Sequence, residues 1–249
     1  MAQNLNIDKV FVAHVKSGAE ARRESIDRQL SQRGIPYEFM LNGDLEDMPQ
    51  ALIDRWFLPK RIMNPKMMSC TCKHLLIYEQ MHRDGLKDAL ILEDDIFLSA
   101  DFVVQFNKVV QELFCRKESS PSLAWISFEN STLRFPPRSV LTPSMNLYRA
   151  LEPRCTGAYY IGAEAARSLL KIADSEKLSL PIDCFVEVIA KRSPSPLELY
   201  WCHPTIAEQG SMNGVFDSID ERRTASLWRK VKWNLDKCYK VLKHGVSRK

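Results

Sequence analysis

Long apolar runs are missing from this sequence. No window of its 249 residues is apolar over the roughly 20 positions that a membrane-crossing helix needs. The amino-terminal stretch lacks a basic start followed by a long apolar core, since its apolar burst at residues 10–15 is interrupted by a histidine. Low-complexity tracts and internal repeats are absent as well. We therefore expect a globular, cytoplasmic protein that is soluble or lies on a surface.

The sequence also lacks a disulfide framework. Its seven cysteines are odd in number and irregularly spaced, which fits buried thiols in a reducing compartment. Cys70, Cys72 and His74 carry the ligand types that zinc prefers, but they lack the second ligand pair of a structural zinc site. The spacing therefore disfavours zinc.

Apolar strands and amphipathic helices alternate over the first half of the chain. This half has predicted strands at 9–15, 37–41, 89–92 and 123–128 and predicted helices at 19–32, 69–83 and 101–115. Further strands are predicted at 156–162 and 197–202, and helices at 163–172 and 181–192. The alternation predicts an α/β fold with a mostly parallel, nucleotide-binding sheet flanked by helices. We expect a single domain over residues 1–220 and a tail over 221–249.

Three consecutive carboxylates follow the strongest apolar strand. Glu93, Asp94 and Asp95 come directly after Ala89 to Leu92, and open α/β sheets bind ligands at the carboxyl ends of such strands. In an extended segment Glu93 and Asp95 would face one side and Asp94 the other. Carboxylate oxygens suit Mg²⁺ or Mn²⁺, and the alternative is a solvated charged turn.

Several further motifs occur in a defined order along the chain. They are Gly34-Ile35-Pro36-Tyr37-Glu38-Phe39, the Cys70 to His74 helix start, Leu90-Ile91-Leu92-Glu93-Asp94-Asp95, Gly157-Ala158-Tyr159-Tyr160-Ile161, Pro181-Ile182-Asp183, and Pro204 with Gln209. From residue 10 to about 219 the chain thereby resembles glycosyltransferase family 25, the lipopolysaccharide-type transferases of bacteria. The resemblance implies a GT-A-like domain, with a nucleotide-sugar half at about 1–130 and an acceptor half at about 131–220.

The resemblance gives the acidic run a role. The Leu-Glu-Asp-Asp element is similar to the Asp-x-Asp-like motif with which GT-A transferases bind a metal and a nucleotide sugar. Glu93 and Asp95 are then expected to hold Mn²⁺ or Mg²⁺, which would stabilise a departing diphosphate. Asp94 is expected to bind donor hydroxyls or the ribose.

The end of the first strand is the expected nucleotide side of the site. Ala13, His14 and Val15 should approach the uracil and ribose, following the switch-point rule. Arg22 or Arg23 is a candidate for the phosphates, although an arginine on an amphipathic helix is commonly just solvated.

The helix start before the acidic strand departs from the family pattern. The family has Gly-Cys and Ser-His there, whereas this chain has Ser69-Cys70 and Lys73-His74. His74 is expected to cap or pack beside the donor. Lys73 adds a charge where a hydroxyl is usual, which makes the identity of the donor less secure.

An inverting transfer requires a base for the acceptor hydroxyl, and an ionised carboxylate suits this role. Asp183 in the family's Pro-x-Asp element is the first candidate, although an acid in a first helical turn also favours the helix dipole. Glu187, one turn later, is the reserve candidate. Tyr159 and Tyr160 are candidates to contact the acceptor sugar, with a core position as the alternative.

Two polar residues near the end of the resemblance are also candidates. His203 or Gln209 could contribute near the metal or the diphosphate, and the resemblance does not decide between them. A buried structural role is the alternative for His203.

The carboxyl-terminal segment is rich in base. On a wheel of about 100° per residue, Leu227, Val231, Leu235, Cys238 and Leu242 gather on one side, and lysines and arginines occupy the rest. Such a helix can lie on an anionic membrane surface or dock on the domain by its apolar stripe. Nucleic acid is not an expected partner, since no nucleic-acid-binding fold accompanies the charge.

Together these features predict a metal-dependent, inverting glycosyltransferase. It would move a hexose, galactose from UDP-galactose, onto a lipopolysaccharide or lipooligosaccharide acceptor at the inner face of the cytoplasmic membrane. Two other classes share parts of the pattern. A phosphohydrolase or nucleotidyltransferase would use the same carboxylates, and a non-catalytic membrane-surface adaptor would need only the basic tail.

Overall fold

The computed structural model describes residues 4–46, 48–59, 63–217 and 226–244. Within them the strands are β1 Lys9–Ala13, β2 Glu38–Met40, β3 Asp88–Glu93, β4 Ile96–Leu98, β5 Ala124–Ser127, β6 Leu147–Arg149, β7 Ala158–Gly162, β8 Glu198–Cys202 and β9 Ala207–Gln209. The α-helices are α1 Glu20–Gln32, α2 Gln50–Trp56, α3 Pro65–Arg83, α4 Phe102–Cys115, α5 Ala163–Glu176, α6 Ile182–Ala190, α7 Gly210–Asn213 and α8 Leu227–His244.

The main sheet has seven strands in the order β2-β1-β3-β7-β5-β8-β6, and β4 and β9 form a separate pair. Strands β2, β1 and β3 are mutually parallel, and β5 and β8 are parallel to each other. Strand β7 lies antiparallel between β3 and β5, and β6 lies antiparallel at the edge beside β8. Five strands therefore point one way and two the other. The predicted α/β class, with a mostly parallel sheet flanked by helices, is confirmed.

Helices cover both faces of this sheet because its strands are apolar on both sides. Phe11, Ala89 and Ile91 pack with α3 and α5 on one face. Val12 and Leu90, which alternate with them, pack with α1 and α4 on the other. Burial on both faces is what the continuous apolar runs of central strands require. The sheet edge at the carboxyl ends of β1 and β3 is left for polar residues.

Three strands of three residues, β4, β6 and β9, were not predicted. Each is too short to show a hydrophobic period, and their partners lie far away in sequence, as in the pairing of Phe97 with Glu208. The direction of β7 was also not visible, because a buried strand has the same apolar composition in either orientation.

None of the helices in the described ranges combines the length and hydropathy needed to cross a bilayer. The predicted tail is helical over 227–244, while 221–225 and 245–249 lie outside the described residues. The boundary near residue 220 also lies outside them and stays a prediction.

Candidate active site

Two parallel strands bring the nucleotide side and the acidic side of the site together. Ala13, the last residue of β1, is in register with Glu93, the last residue of β3. A cavity of about 500 Å³ opens at this edge. The predicted site residues that line it are Ala13, His14, Val15, Arg22, Glu93 and Asp94. The structure therefore assembles most of the predicted donor site, whereas Asp95 and His74 are not part of this lining.

Asp94 is held by two nitrogen donors. Its Oδ2 lies 2.7 Å from His14 Nδ1, and its Oδ1 accepts a hydrogen bond from the Arg22 guanidinium at 3.1 Å. Desolvation opposes the charge of Arg22, but the carboxylates of Asp94, Asp95 and Glu93 raise its pKa overall. Arg22 thus remains a cation beside three acids. Asp94 presents oxygens that are already paired, so a donor hydroxyl would have to share them.

Arg22 also reaches the chain just after α7. It donates to the carbonyl oxygen of Asp217 and lies over the ring of Phe216, 5.6 Å from its centroid. Arg23, the alternative phosphate candidate, lies instead over the ring of Phe39 at 4.7 Å. The structure therefore separates the two neighbouring arginines, and Arg22 is the one that lines the cavity.

Glu93 is held by two residues from the second half of the chain. Its Oε1 accepts a hydrogen bond from Thr156 Oγ1 at 2.8 Å, and its Oε2 accepts one from Gln209 Nε2 at 2.9 Å. Thr156 lies just ahead of β7, and Gln209 ends β9, so the antiparallel strand and the small sheet both lead to this carboxylate. Thr156 carries no sequence signal of its own. Of His203 and Gln209, the structure places Gln209 here, while His203 packs against the rings of Phe135 and Tyr148.

Asp95 lies behind the cavity, contrary to the predicted alternation. Strand β3 ends at Glu93 and the chain turns at residues 94 and 95, so side chains no longer alternate there. Asp95 is 2% exposed and accepts a hydrogen bond from the backbone N–H of Ser211 at 2.9 Å. Burial, followed by the charge of Glu93, raises the pKa of Asp95 to about 6. The expectation that Glu93 and Asp95 share one face is wrong for this reason.

A divalent cation fits the negative charge of Glu93 and Asp95, which together form the acidic corner of the site. Asp95 Oδ1 is buried and has no hydrogen-bond partner among the described residues. The carboxylate of Glu93 lies close enough to repel the charge of Asp95. An orphaned carboxylate oxygen of this kind is costly unless a positive group neutralises it. Glu93 and Asp95 would supply two hard oxygens, and Mn²⁺ and Mg²⁺ take further ligands from water and phosphate.

Zinc fits the neighbouring thiols less well. The ligand atoms of Cys70, His74 and Glu93 lie within 4.8 Å of one another, but Cys72 points elsewhere, toward Gly43. Burial, followed by the charges of Glu93 and Asp183, raises the pKa of the Cys70 thiol well above its ordinary value. Zinc binds the thiolate, so binding here would have to release the proton of this thiol. The Cys-x-Cys-x-His set, whose spacing already disfavours zinc, is not assembled around one point.

His74 and Tyr159 belong to the core beneath the site. His74 Nδ1 and the Tyr159 hydroxyl share a hydrogen bond of 2.8 Å, and the Tyr159 hydroxyl shares another of 2.8 Å with Tyr78. The ring of Tyr159 stacks on Trp125 with centroids 3.8 Å apart. His74 Nε2 lies 3.6 Å from Glu93 Oε1, so His74 packs below the acidic corner without lining the cavity.

The tyrosines of β7 are not available to an acceptor. Tyr159 and Tyr160 are 0% and 1% exposed. The Tyr160 hydroxyl donates to Asp88 at 3.2 Å, at the opposite end of β3 from Glu93. The prediction that they contact the acceptor sugar does not agree with these positions, because both rings are buried in the middle of the sheet.

Asp183 and Glu187 lie on α6, outside the cavity lining. The start of α6 is tied to α3, since the N–H of Ile182 donates to Thr71 Oγ1 at 3.2 Å. Asp183 is close enough to Cys70 for its charge to contribute to the raised pKa of that thiol. Glu187 instead pairs with Lys191 at 2.6 Å and approaches Arg134 at 3.9 Å. Asp183 thus lies toward the site, and Glu187 is engaged in surface ion pairs.

Lys73, the departure from the family pattern, is bound by three acceptors. Its ammonium lies 2.7 Å from Asp44 Oδ1 and donates to the carbonyl oxygens of Leu41 and Asn42 at 3.1 and 3.3 Å. Burial opposes ionisation of Asp44, but hydrogen bonds from Lys73 and the Lys16 N–H lower its pKa overall. This pair pins the loop after β2 to the cavity wall.

Comparison with known proteins gives the family of this chain. Residues 7–186 match the family model described as glycosyltransferase family 25 (LPS biosynthesis protein). The chain belongs to glycosyltransferase family 25. A family 25 member from Drosophila melanogaster is 27% identical over 201 residues, which cover 77% of this chain and 32% of that protein. The chain thus spans about a third of the length of that curated relative.

Two solved structures align with this family 25 chain over most of its length. A glycosyltransferase involved in the glycosylation of the major capsid of PBCV-1 aligns with a TM-score of 0.43 and 10% identity, covering 91% of this chain and 99% of that one. An inositol-1-phosphate CTP transferase from T. maritima aligns with a TM-score of 0.37 and 9% identity, covering 98% and 100%. Both likenesses are too weak to bear on function.

Proposed function

We propose that this family 25 chain is a metal-dependent, inverting glycosyltransferase. It moves a hexose from a nucleotide diphosphate sugar, UDP-galactose, onto a lipid-linked lipopolysaccharide or lipooligosaccharide acceptor. The observation that carries the proposal is the register of Ala13 with Glu93. Because of this register, the end of β1, where we expect the nucleotide, and the acidic end of β3 line the same cavity. Ligands of open α/β sheets bind at such an edge.

The residues of the cavity, together with Asp95 buried behind it, have separate roles toward the donor. Ala13, His14 and Val15 face the nucleoside, and the Arg22 guanidinium offers its charge to the diphosphate. Glu93 and Asp95 would hold Mn²⁺ or Mg²⁺, which supplies Lewis-acid stabilisation of the leaving diphosphate. His14 fixes the orientation of Asp94, which binds a ribose or sugar hydroxyl.

Asp183 is the candidate for the base on the acceptor side. Its carboxylate accepts a hydrogen bond from the backbone N–H of Cys184 at 2.8 Å, and the Cys184 thiol bonds to it as well. An ionised carboxylate takes the proton from the acceptor hydroxyl as that oxygen attacks the sugar carbon on the face opposite the departing diphosphate. A lipid-linked acceptor would be met at the inner face of the cytoplasmic membrane, with helix α8 toward that surface.

A screen of nucleotide sugars with Mn²⁺, with released nucleotide measured, tests this function. We expect turnover with UDP-galactose and loss of transfer and of metal-dependent donor binding in Asp95→Asn, whose amide oxygen can still accept from Ser211. Asp54→Asn, a surface change on α2, is the matched control. Unchanged transfer in Asp95→Asn would contradict the metal role.

The products distinguish the other two functional classes. A phosphohydrolase or nucleotidyltransferase would release phosphate or pyrophosphate instead of UDP. A membrane-surface adaptor would show no turnover with any donor. Either result would overturn the proposed transfer.

A further inference from the structure

Helix α8 contacts the domain through its polar side. Arg229 donates to the carbonyl oxygen of Ser211, and Lys237 pairs with Glu208. Arg138 donates to the carbonyl oxygen of Leu242 at 3.1 Å. At about 100° per residue, Arg229, Trp233 and Lys237 fall within about 80° of one another, so they define one docked face.

The apolar stripe of α8 lies on the opposite side of the helix. Its exposed members are Leu227, Trp228, Val231, Leu235, Tyr239 and Leu242, which are 40 to 80% exposed. The centre of this stripe lies about 180° from the docked face. A helix of an ordinary globular domain turns its apolar stripe inward. Here the stripe points away from the domain, and a contiguous exposed patch of this kind marks a contact surface.

The charges around the stripe indicate what covers it. Helix α8 carries six lysines and arginines and one aspartate. Lys230 and Lys232 are exposed and flank the stripe on its two sides. Two copies of the chain joined through this face would bring these lysines together, which costs energy, whereas an anionic surface complements them. Trp228 and Tyr239 lie along one edge, where amphipathic rings suit a headgroup layer.

We propose that the outward stripe of α8 lies in the headgroup region of an anionic lipid bilayer, with the helix parallel to the surface. The polar face with Arg229, Trp233 and Lys237 then links the helix to the domain. This inference deepens the proposed membrane contact of residues 221–249. It concerns lipid binding and needs no turnover to be tested.

Flotation of the full chain with lipid vesicles provides the test. We expect binding to vesicles of phosphatidylcholine with phosphatidylglycerol, weak binding to phosphatidylcholine alone, and a decline as salt rises. The double variant Trp228→Ser/Leu235→Ser should bind at least about tenfold more weakly. Leu151→Ser, which changes an 85% exposed apolar residue elsewhere, should bind like the unchanged chain.

Three results would overturn this proposal. They are equal binding of the double variant and the unchanged chain, equal binding to neutral and anionic vesicles, and a dimer in light scattering that the double variant dissociates. Transfer to a soluble acceptor sugar should be the same in the double variant and the unchanged chain. A chain that binds lipid but transfers no sugar would support the surface and refute only the enzymatic proposal.

Discussion

The two halves of the main sheet deliver side chains to the site in different ways. In the parallel half, β1 and β3 end at the site, so Ala13 and Glu93 arrive as the last residues of their strands. In the other half, β7 runs the opposite way and begins there, so Thr156 arrives ahead of its strand. The site residues therefore follow β1 and β3 but precede β7.

The difference also explains why the tyrosines of β7 are buried. The apolar positions of both halves are buried, but β7 lies in the middle of the sheet with α3 and α5 packed on one face. Its tyrosines fill that interior, and their hydroxyls bond to His74 and Asp88. The proposed acceptor side therefore depends on Asp183 of α6 instead of on these tyrosines. Three substitutions test this division.

The largest effect is expected at Asp183. If α6 supplies the base, Asp183→Asn should lower kcat by about 10²- to 10⁴-fold, because the acceptor hydroxyl loses its proton acceptor. The KM for the donor should change little. Steady-state kinetics with saturating donor measures both values. Glu187→Gln, on the same helix but in surface ion pairs, is the control, and an equal loss there would place the base elsewhere.

An intermediate effect is expected in the parallel half, at Arg22. Arg22→Gln should raise the KM for the donor about 10- to 100-fold, the range of one charge-assisted hydrogen bond, because Glu93 and Asp94 would face the diphosphate without this cation. Donor titration at fixed Mn²⁺ measures the change. Arg23→Gln is the matched control, since Arg23 lies over Phe39 outside the cavity. Similar KM values for the two variants would remove Arg22 from the donor site.

The smallest effect on catalysis is expected inside β7. Tyr159→Phe should leave the acceptor KM unchanged and lower the free energy of unfolding by about 1–3 kcal/mol, because His74 and Tyr78 lose a buried partner. Urea unfolding measures the loss. Tyr37→Phe, at the surface beside Asp27, should cost less than about 1 kcal/mol. A raised acceptor KM in Tyr159→Phe would restore the acceptor role that the burial argues against.

The parallel half was predictable from sequence because its patterns are local. The continuous apolar strand before Glu93, the strand before His14 and the amphipathic faces of α3 and α4 each lie within one segment. Their meeting at one edge follows from the rule for parallel strands. The motif order likewise identified the family.

The rest depends on pairings that a local pattern does not carry. The turn at Asp94 and Asp95 ends the alternation that would have placed Asp95 in the cavity. Gln209 reaches Glu93 through a strand of three residues, and Ser211 reaches Asp95 because Gly210 allows a close approach. A Cβ at Gly210 would lie 2.9 Å from the carbonyl oxygen of Asp95. Such contacts join positions more than a hundred residues apart.

Helix α3 contacts both the cavity and the start of α6. One side of it contributes Ser69, Cys70 and Lys73 to the cavity wall, while Thr71 on another side holds the first N–H of α6. The distance between the cavity and Asp183 is therefore set by α3, one continuous helix of 19 residues. If the cavity takes the nucleotide and Asp183 is the base, a tilt of α3 on nucleotide binding would move that carboxylate and change its alignment with the acceptor hydroxyl.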